Sequence, residues 1–458
     1  MARSAYLGSL GASDVLDVRG NEVEGWLARE LLPHLETTAA REVRFDQARF
    51  SGDAGFSDAA VSVALVFAET DLPRGLSLAG ARFGAPLTLD RCTVGASEAP
   101  AFLDLSGAEF TDPVVTTGLK VTGGVRLDGS SFAGPVRISG LLDDVTTDGT
   151  RFQAESVLRP EGGRISLNGA RLERPLTIAG TGNAKLSGLR GVDASNLILA
   201  DLDLSECPFD GALHLDFVRF EGTCQFSRPP GGVRRTWAFP PLWRWTSRDC
   251  IADEHGWRAS TGPRSKRDGW DGSLSTASAA QATHLYRALR KAQEDAKHEP
   301  GAADFYFGEM DSRRRATRRG GERILLWLYW LTAGYGLRAS RAFSCLLVVL
   351  LLGIASQVAF GVPDSEEGQS VGLIAPVGGG VVTGRLVPLD PELKAPMSRR
   401  WTGKRTADAA EATINAVVFR STAQKLTNTG KWIEAGVRVL GPLFLALALL
   451  SLRNRVKR

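Results

Sequence analysis

The sequence is poor in the groupings that announce chemistry. Its five cysteines, Cys92, Cys207, Cys224, Cys250 and Cys345, form no CxxC pair and no metal-ligand spacing, and Cys345 falls in a long apolar run. That pattern argues against a disulfide framework, a zinc site, haem attachment or an iron–sulfur cluster. A dinucleotide site needs GxGxxG between a strand and a helix. Gly180-Thr181-Gly182 lacks the third glycine, and Gly378-Gly379-Gly380 falls in a long loop. The opening MARSAYLGSLGASDVLD lacks the basic-then-apolar order of a secretory signal, so the amino-terminal part is expected in the cytoplasm. No catalytic residue, cofactor-binding residue or metal ligand emerges, and no cofactor is expected.

What the chain does have is glycine, 51 of 458 residues, arranged with 43% hydrophobic residues as in a turn-rich folded protein. Five stretches share one signature of alternating aliphatics, Gly, a small residue, any residue, then Phe or Leu. They are LSLAGARF (Leu76 to Phe83), LDLSGAEF (Leu103 to Phe110), VRLDGSSF (Val125 to Phe132), VTTDGTRF (Val145 to Phe152) and ISLNGARL (Ile165 to Leu172). The glycines Gly80, Gly107, Gly129, Gly149 and Gly169 lie 27, 22, 20 and 20 residues apart, which is how a stacked solenoid writes itself into sequence.

Within each period the inward candidates step by five: Leu78 to Phe83, Leu105 to Phe110, Leu127 to Phe132, Leu167 to Leu172, then Leu197, Leu202, Cys207, Ala212 and Phe217. In these blocks the chain resembles the pentapeptide-repeat family, and Ala200-Asp201-Leu202 carries the family's block in full. The resemblance implies a mainly β fold, a right-handed quadrilateral β-helix whose four five-residue sides make one 20-residue coil. A coil end would expose strand edges and core. Asn21 to Ala40, with Val23, Trp26, Leu27 and Leu31 at near-helical spacing before Pro33, is either an amino-terminal plug or a helix leading into the solenoid.

Beyond the repeat, Arg228 to Ser278 is rich in Pro, Gly, Arg and Trp, including Trp237, Trp243, Trp245, Trp257 and Trp270. Interleaved Arg and Trp suit either nucleic-acid stacking or structural packing, and the irregular spacing favours packing at the solenoid's carboxyl end. Ala282 to Arg319 then reads as a helical hairpin, with Leu285, Leu289 and Ala292 on one face and a restart after Pro300-Gly301. Its YRALRKAQED and EPGAADFYFGEM segments resemble a stretch beside the membrane domain of pentapeptide-repeat membrane proteins. Glu294, Asp295, Glu299, Asp304 and Glu309 with His298 could serve metal or acid–base chemistry, but such charges more often make surface ion pairs.

Ala342 to Val362 is uncharged for 21 residues, enough for a hydrocarbon core of about 30 Å. A second span, Ile433 to Leu452, has an uncharged stretch only from Val439 to Leu452, so Glu434 and Arg438 fall at or inside its far interface, with Pro442 just beyond. Glu434 and Arg438, one turn apart, are either a functional intramembrane pair or an interfacial ion pair that ends the span. Together with Pro442, which can kink the helix, they are the pore candidates. Arg313, Arg314, Arg315, Arg318, Arg319 and Arg323 precede the first span, and Arg453, Arg455, Lys457 and Arg458 follow the second. The positive-inside tendency puts both clusters, and both termini, in the cytoplasm of a multi-pass protein of the cell membrane. The first cluster is also the candidate lipid-binding site, with anionic membrane lipids as partner. Ile324 to Leu337, apolar and aromatic but too short to span, suits a helix lying in the interface.

The expected order is a capping segment over 1–43, the solenoid over 44–227, a Trp/Arg-rich linker over 228–281, and a helical hairpin with basic juxtamembrane segment over 282–323. An interfacial helix over 324–341, a membrane helix over 342–362, an extracytoplasmic loop over 363–431 and a second membrane helix with basic tail over 432–458 complete it. Two-helix potassium channels carry a pore helix and a filter between their spans. Ala407 to Phe419 is a plausible pore-helix relic, but no TVGYG-like filter follows it, and Gly334-Tyr335-Gly336 precedes the first span.

The charge also divides. Arg44 to Glu221 holds 24 acidic against 16 basic residues, a net of minus 8, whereas Thr223 to Arg323 holds 19 basic against 12 acidic, a net of plus 7. Minus 8 over so many coils is too mild for DNA mimicry, and no nucleic-acid partner is expected. The reading is a membrane-anchored cytoplasmic β-solenoid that binds or scaffolds an unknown protein partner, as a homo-oligomer, sensing or gating for a degenerate channel-like assembly. The alternatives are an ion-channel or pore subunit, and a membrane-associated oxidoreductase, for which no residue speaks.

Overall fold

The computed structural model describes residues 15–24, 41–96, 98–230, 234–235, 243–244, 248–261, 269–363, 393, 396–418 and 426–456. Its first part is a β-solenoid of about 8 turns over residues 42–221. Short strands stack in parallel, in register, along four ladders. One runs through Glu42–Arg44, Ala64–Ala68, Leu87–Asp90, Val114–Val121, Val136–Leu142, Ser156–Pro160, Leu176–Ala179, Leu197–Ala200 and Arg219–Glu221. A second starts with Glu22–Val23, Arg49–Phe50, Asp71–Leu72 and Thr93–Val94. The third passes from Ala54–Gly55 to Lys185–Gly188, and the fourth from Ala60–Val61 to Arg171–Leu172. These are the four sides of the expected coil.

The signature residues explain the stacking. Gly80, Gly107, Gly129, Gly149 and Gly169 turn a corner at φ between 66° and 72°, a left-handed conformation open to glycine at no steric cost. Each corner donates its N–H to the coil above, as from Gly107 to the Asp128 carbonyl at 2.8 Å and from Gly129 to the Asp148 carbonyl at 2.7 Å. Three residues on, the aromatic points to the axis. Phe83, Phe110, Phe132 and Phe152 are fully buried and stack face to face, with centroids 4.9, 5.0 and 5.6 Å apart. No coil could bury its own ring, so the stack is the core.

Two expectations are corrected. The five-residue step holds through Leu197, Leu202 and Cys207, all buried, but Phe217 is 54% exposed. His214 adopts φ 51°, a 3-10 turn forms over Leu215–Phe217, and Leu215 goes inward instead. At the other end, Val15–Asp17 and Glu22–Val23 are strands paired with Glu42–Arg44 and Arg49–Phe50, so the start of the expected helical plug at Asn21 is extended. The rest of that plug, 25–40, lies outside the described residues, as do Trp237 and Trp245.

Three helices close the carboxyl end: α1 (Ala252–Ser260), α2 (Ala279–Asp295) and α3 (Glu299–Ala316). Ser278 and Gln281 form a capping box that starts α2, and Pro300 sits in the first turn of α3, where its missing N–H costs nothing. Cys250, Ile251, Tyr286, Leu289, Ala292 and Phe305 belong to the same hydrophobic core as the coils. Phe305 meets Phe226 edge to face at 4.9 Å. The open coil end is thereby covered.

A second compact unit runs from Arg318. It comprises α4 (Gly320–Ala333), α5 (Ala339–Ser356, continued by a π turn over Gln357–Gly361), α6 (Gly403–Val418) and α7 (Asn428–Val456, with Pro442 inside). Ala339–Gly361 and Asn428–Arg453 are long and apolar enough to cross a membrane. The second is longer than its uncharged stretch suggests, because the helix runs unbroken through Glu434 and Arg438.

Candidate functional site

Helix α1 is buried from Ala252 to Ala259 although it carries Asp253, Glu254, His255 and Arg258. Burying charge is tolerable only with partners. Glu254 accepts from Arg248 Nη2 at 2.5 and 2.6 Å, from Arg258 Nε at 2.5 Å, and from the Tyr286 hydroxyl. Arg258 continues to Asp311, which also pairs with Arg314 at 2.6 Å. The Arg258 guanidinium lies against the rings of Trp257 and Trp270, 4.6 and 4.7 Å from their centroids.

Electrostatics follow the geometry. Burial alone would raise the Glu254 carboxyl, but Arg248, Arg258 and the Tyr286 hydroxyl outweigh it and hold the pKa at about 2. Burial, and then the Glu254 charge, push Tyr286 well above the ordinary phenol value. Asp253 accepts the Phe209 N–H at 2.8 Å and the Ser275 hydroxyl at 2.7 Å, yet burial still raises its carboxyl. His255 packs on Trp270, with Nε2 3.0 Å from Ser227 Oγ and 3.1 Å from the Arg228 carbonyl, and burial lowers its pKa. Nε2 facing a carbonyl acts as the donor there.

The hairpin's acidic residues do not converge. Glu309 is buried between Arg287 and Arg290 at 3.0 and 3.3 Å. Glu294 pairs with Arg290 at 3.8 Å, Asp304 accepts the Asp249 N–H at 2.9 Å, and His298 Nδ1 lies 2.9 Å from Gln293. Asp295 and Glu299 are exposed. The six candidate lipid-binding arginines also divide. Arg314 and Arg315 are held at Asp311, with the Arg315 guanidinium 5.6 Å from the Trp257 ring, whereas Arg313, Arg318, Arg319 and Arg323 are exposed.

In the second unit α5 and α7 form a hairpin pinned where the chain leaves α5 and enters α7. The Cα atoms of Gly361 and Gly430 approach so closely that a Cβ on Gly430 would lie 2.7 Å from Gly361 Cα. Gln357 Nε2 donates to the Gly430 carbonyl at 3.1 Å, and Thr427 Oγ1 to the Phe360 carbonyl at 2.6 Å. The π turn leaves carbonyls without helical donors, and arginines supply them. Arg405 donates to the Val358 carbonyl at 2.9 Å and to the Val362 carbonyl, and Arg400 to the Ala359 carbonyl at 2.7 Å.

Helix α6, at the place of the expected pore-helix relic, packs on both spans. Thr413 lies against Gly353 and Val417 against Gly441, while Ala416, Val417 and Val437 share a small core. Phe419 and 420–425 lie outside the described residues. Gly334-Tyr335-Gly336 has consecutive φ angles of 53°, 60° and 75° and forms the left-handed end of α4, with Tyr335 buried against Tyr329. Glu434 and Arg438 form an i,i+4 ion pair, the glutamate nearly buried and the arginine half-exposed. Gly180 and Gly182 turn a coil and lead into the strand Lys185–Gly188, not into a helix. The loop glycines 378–380 are outside the described residues.

Sequence reasoning missed the buried cluster of Arg248, Glu254, Arg258, Tyr286 and Asp311. The available signal was the i,i+4 spacing of Glu254 and Arg258 inside a tryptophan-rich stretch.

Residues 42–93 match the family model for pentapeptide repeats (9 copies). No curated protein and no solved structure matches the chain. With the ladders and helices described above, the chain is a β-solenoid, part of which matches pentapeptide repeats, followed by helices, two of them apolar enough to span a membrane.

Proposed function

We propose that this protein is a membrane-anchored binding module, with the solenoid as a rigid arm for a protein partner on the cytoplasmic side. The observation that carries it is the single core running from the coils into the cap, through Phe226, Ile251, Tyr286 and Phe305. Such a body resists bending and presents outward side chains in fixed rows, which suits recognition by surface complementarity. The exposed Leu347, Leu351, Leu352, Leu443, Leu449 and Leu450 of the two spans suit lipid contact. Exposed Arg318, Arg319 and Arg323 before α5, with exposed Arg453 near the end of α7, favour a cytoplasmic position for both ends of the hairpin and contact with anionic lipid.

A pore subunit is the second reading. It is favoured by one observation, the packing of α6 along both spans. Three measurements on the full-length protein separate the readings. Resistance to alkaline carbonate extraction, no current in planar bilayers and a stoichiometric partner retained in mild detergent would support the binding module. Single-channel current abolished by Arg438→Ala would replace it with the pore.

A further inference from the structure

Helix α5 enters the membrane from a corner with charge of one sign, given the proposed membrane reading, on which this inference rests. From Arg323 to Val362 the chain has no Asp or Glu, yet Arg323, Arg338 and Arg341 fall within that stretch. Gly361 and Gly430 pin one end of the hairpin. Ala339, 22 residues before the first, and Arg453, 23 after the second, therefore lie at the other end, about 33–35 Å away at 1.5 Å per residue. Glu434, four residues after Gly430, is remote from it. Glu322 opens α4, about 12 Å along that helix from Trp330.

The corner is rigid. Tyr335, at φ 60°, is buried against Tyr329, whose hydroxyl stands 2.7 Å from where a Cβ on Gly336 would lie. The stem of Arg338 runs over Gly334, where a Cβ would meet its Cβ, Cγ and Cδ at 3.0–3.1 Å. Arg341, in the first turn of α5, donates from Nη1 to the Trp330 carbonyl at 3.0 Å and sets its guanidinium 5.0 Å from the Trp330 ring centroid. That carbonyl also takes the Gly334 N–H at 3.0 Å. A carbonyl at a helix C-terminus offsets only part of a full charge.

Arg341 is half-buried, and no carboxylate pairs with it among the described residues. A guanidinium carries five donors in a planar fork. With Nη1 engaged, the Nε–Nη2 edge remains, and it meets no acceptor among the described residues. Such an edge matches two oxygens of one phosphate. The candidate span starts at Ala339, so Arg341 lies about 3 Å along it, at the level of lipid headgroups. Exposed Ile324, Leu325 and Leu328 of α4 suit acyl chains beside it.

We infer that the α4–α5 corner binds the phosphate of one anionic phospholipid, gripped by Nε and Nη2 of Arg341 and backed by the Trp330 ring. Arg338, one turn earlier, adds positive potential. Exposed Arg318, Arg319 and Arg323 attract such lipids through charge alone, whereas Arg341 holds one in a fixed geometry.

The test titrates the full-length protein in mild detergent with phosphatidylglycerol and, separately, with phosphatidylcholine, and counts lipid-bound states by native mass spectrometry. Wild type should retain one phosphatidylglycerol per chain. Its affinity should fall about tenfold or more in Arg341→Gln and also in Arg341→Lys, because lysine keeps the charge without the fork. A second readout compares each variant with its own lipid-free melting temperature. Phosphatidylglycerol should raise that of wild type more than phosphatidylcholine does, and this difference should vanish in Arg341→Lys. Arg341→Lys binding as wild type does overturns the site and leaves diffuse charge as the attraction, with the membrane reading intact. Equal retention of phosphatidylcholine by wild type also overturns it. Inorganic phosphate stabilising wild type as much as phosphatidylglycerol, with both effects lost in Arg341→Lys, replaces the lipid with a soluble anion. Release of the wild type from membranes by alkaline carbonate overturns the membrane reading and the lipid site with it.

Discussion

Asp253 accepts the backbone N–H of Phe209 at 2.8 Å across 44 positions of sequence, fastening helix α1 to the last coils of the solenoid. Its second oxygen takes the Ser275 hydroxyl. Asp253→Ala orphans a buried N–H and should cost about 1–3 kcal/mol, whereas Asp253→Asn keeps an acceptor and should cost less. Burial raises this carboxyl above 3.8, so the folded state holds its proton more tightly than the unfolded chain does. Its contribution is fully present below pH 3.8 and is lost as pH rises through the folded value. The gap in melting temperature between wild type and Asp253→Asn should therefore be wider at pH 4 than at pH 7. A gap that widens toward pH 7 would refute the assignment.

Glu254 has the opposite sign. Its carboxyl falls from 4.5 to about 2 because two arginines and a phenol outweigh burial, so its contribution is present above pH 4.5 and fades as pH falls toward 2. Glu254→Gln leaves Arg248 and Arg258 buried without their shared anion. Breaking such a cluster from one side costs about 3–5 kcal/mol. Tyr286→Phe removes one donor to Glu254 and the acceptor of the buried Ile251 N–H while both arginines stay paired, at about 1–3 kcal/mol. Urea midpoints read by pulse proteolysis should rank wild type, Tyr286→Phe, then Glu254→Gln. Equal midpoints for the two variants would show that the arginines do not depend on Glu254.

Phe132 stacks between Phe110 and Phe152, and Phe217 stands 54% exposed beneath Lys291. Both occupy the same five-residue step in the sequence. Phe132→Ala should cost about 3–5 kcal/mol through the cavity it opens, and Phe217→Ala under about 1 kcal/mol. Thermal unfolding by circular dichroism distinguishes them. Comparable losses would mean that Phe217 is a core residue after all.

The coils were legible because their rule is local: a left-handed corner needs Gly, and alternation decides which side chains face the axis. Phe217 escaped that rule because the turn at His214 is set by packing of Leu215–Phe217 near α2, which no spacing records. Helix α1 was illegible for a related reason. Periodicity assigns charged residues to solvent, and in α1 the charges neutralise one another inside. The first long apolar helix was read from its uncharged run, but the second begins earlier than its apolar run and the packing of α6 was not legible, since it depends on Gly353 and Gly441 admitting Thr413 and Val417, the former from 60 residues away.

Gly430 tests whether the two units are energetically separate. A Cβ there would lie 2.7 Å from Gly361 Cα and 2.9 Å from its carbonyl oxygen, both backbone atoms that cannot rotate away. Gly430→Val must therefore push the span ends apart. The Gln357 to Gly430 and Thr427 to Phe360 hydrogen bonds lengthen with them, at an overpacking cost of about 1–3 kcal/mol. The chain divides at Thr317 into two compact units, and this contact lies within the second. Limited proteolysis in mild detergent should show the helices α5 and α7 cleaved at lower temperature than in wild type, while the solenoid with its cap persists unchanged. Joint loss of both fragments would mean that the solenoid draws stability from the spans, and an unchanged pattern would mean that the glycine contact does not hold the hairpin.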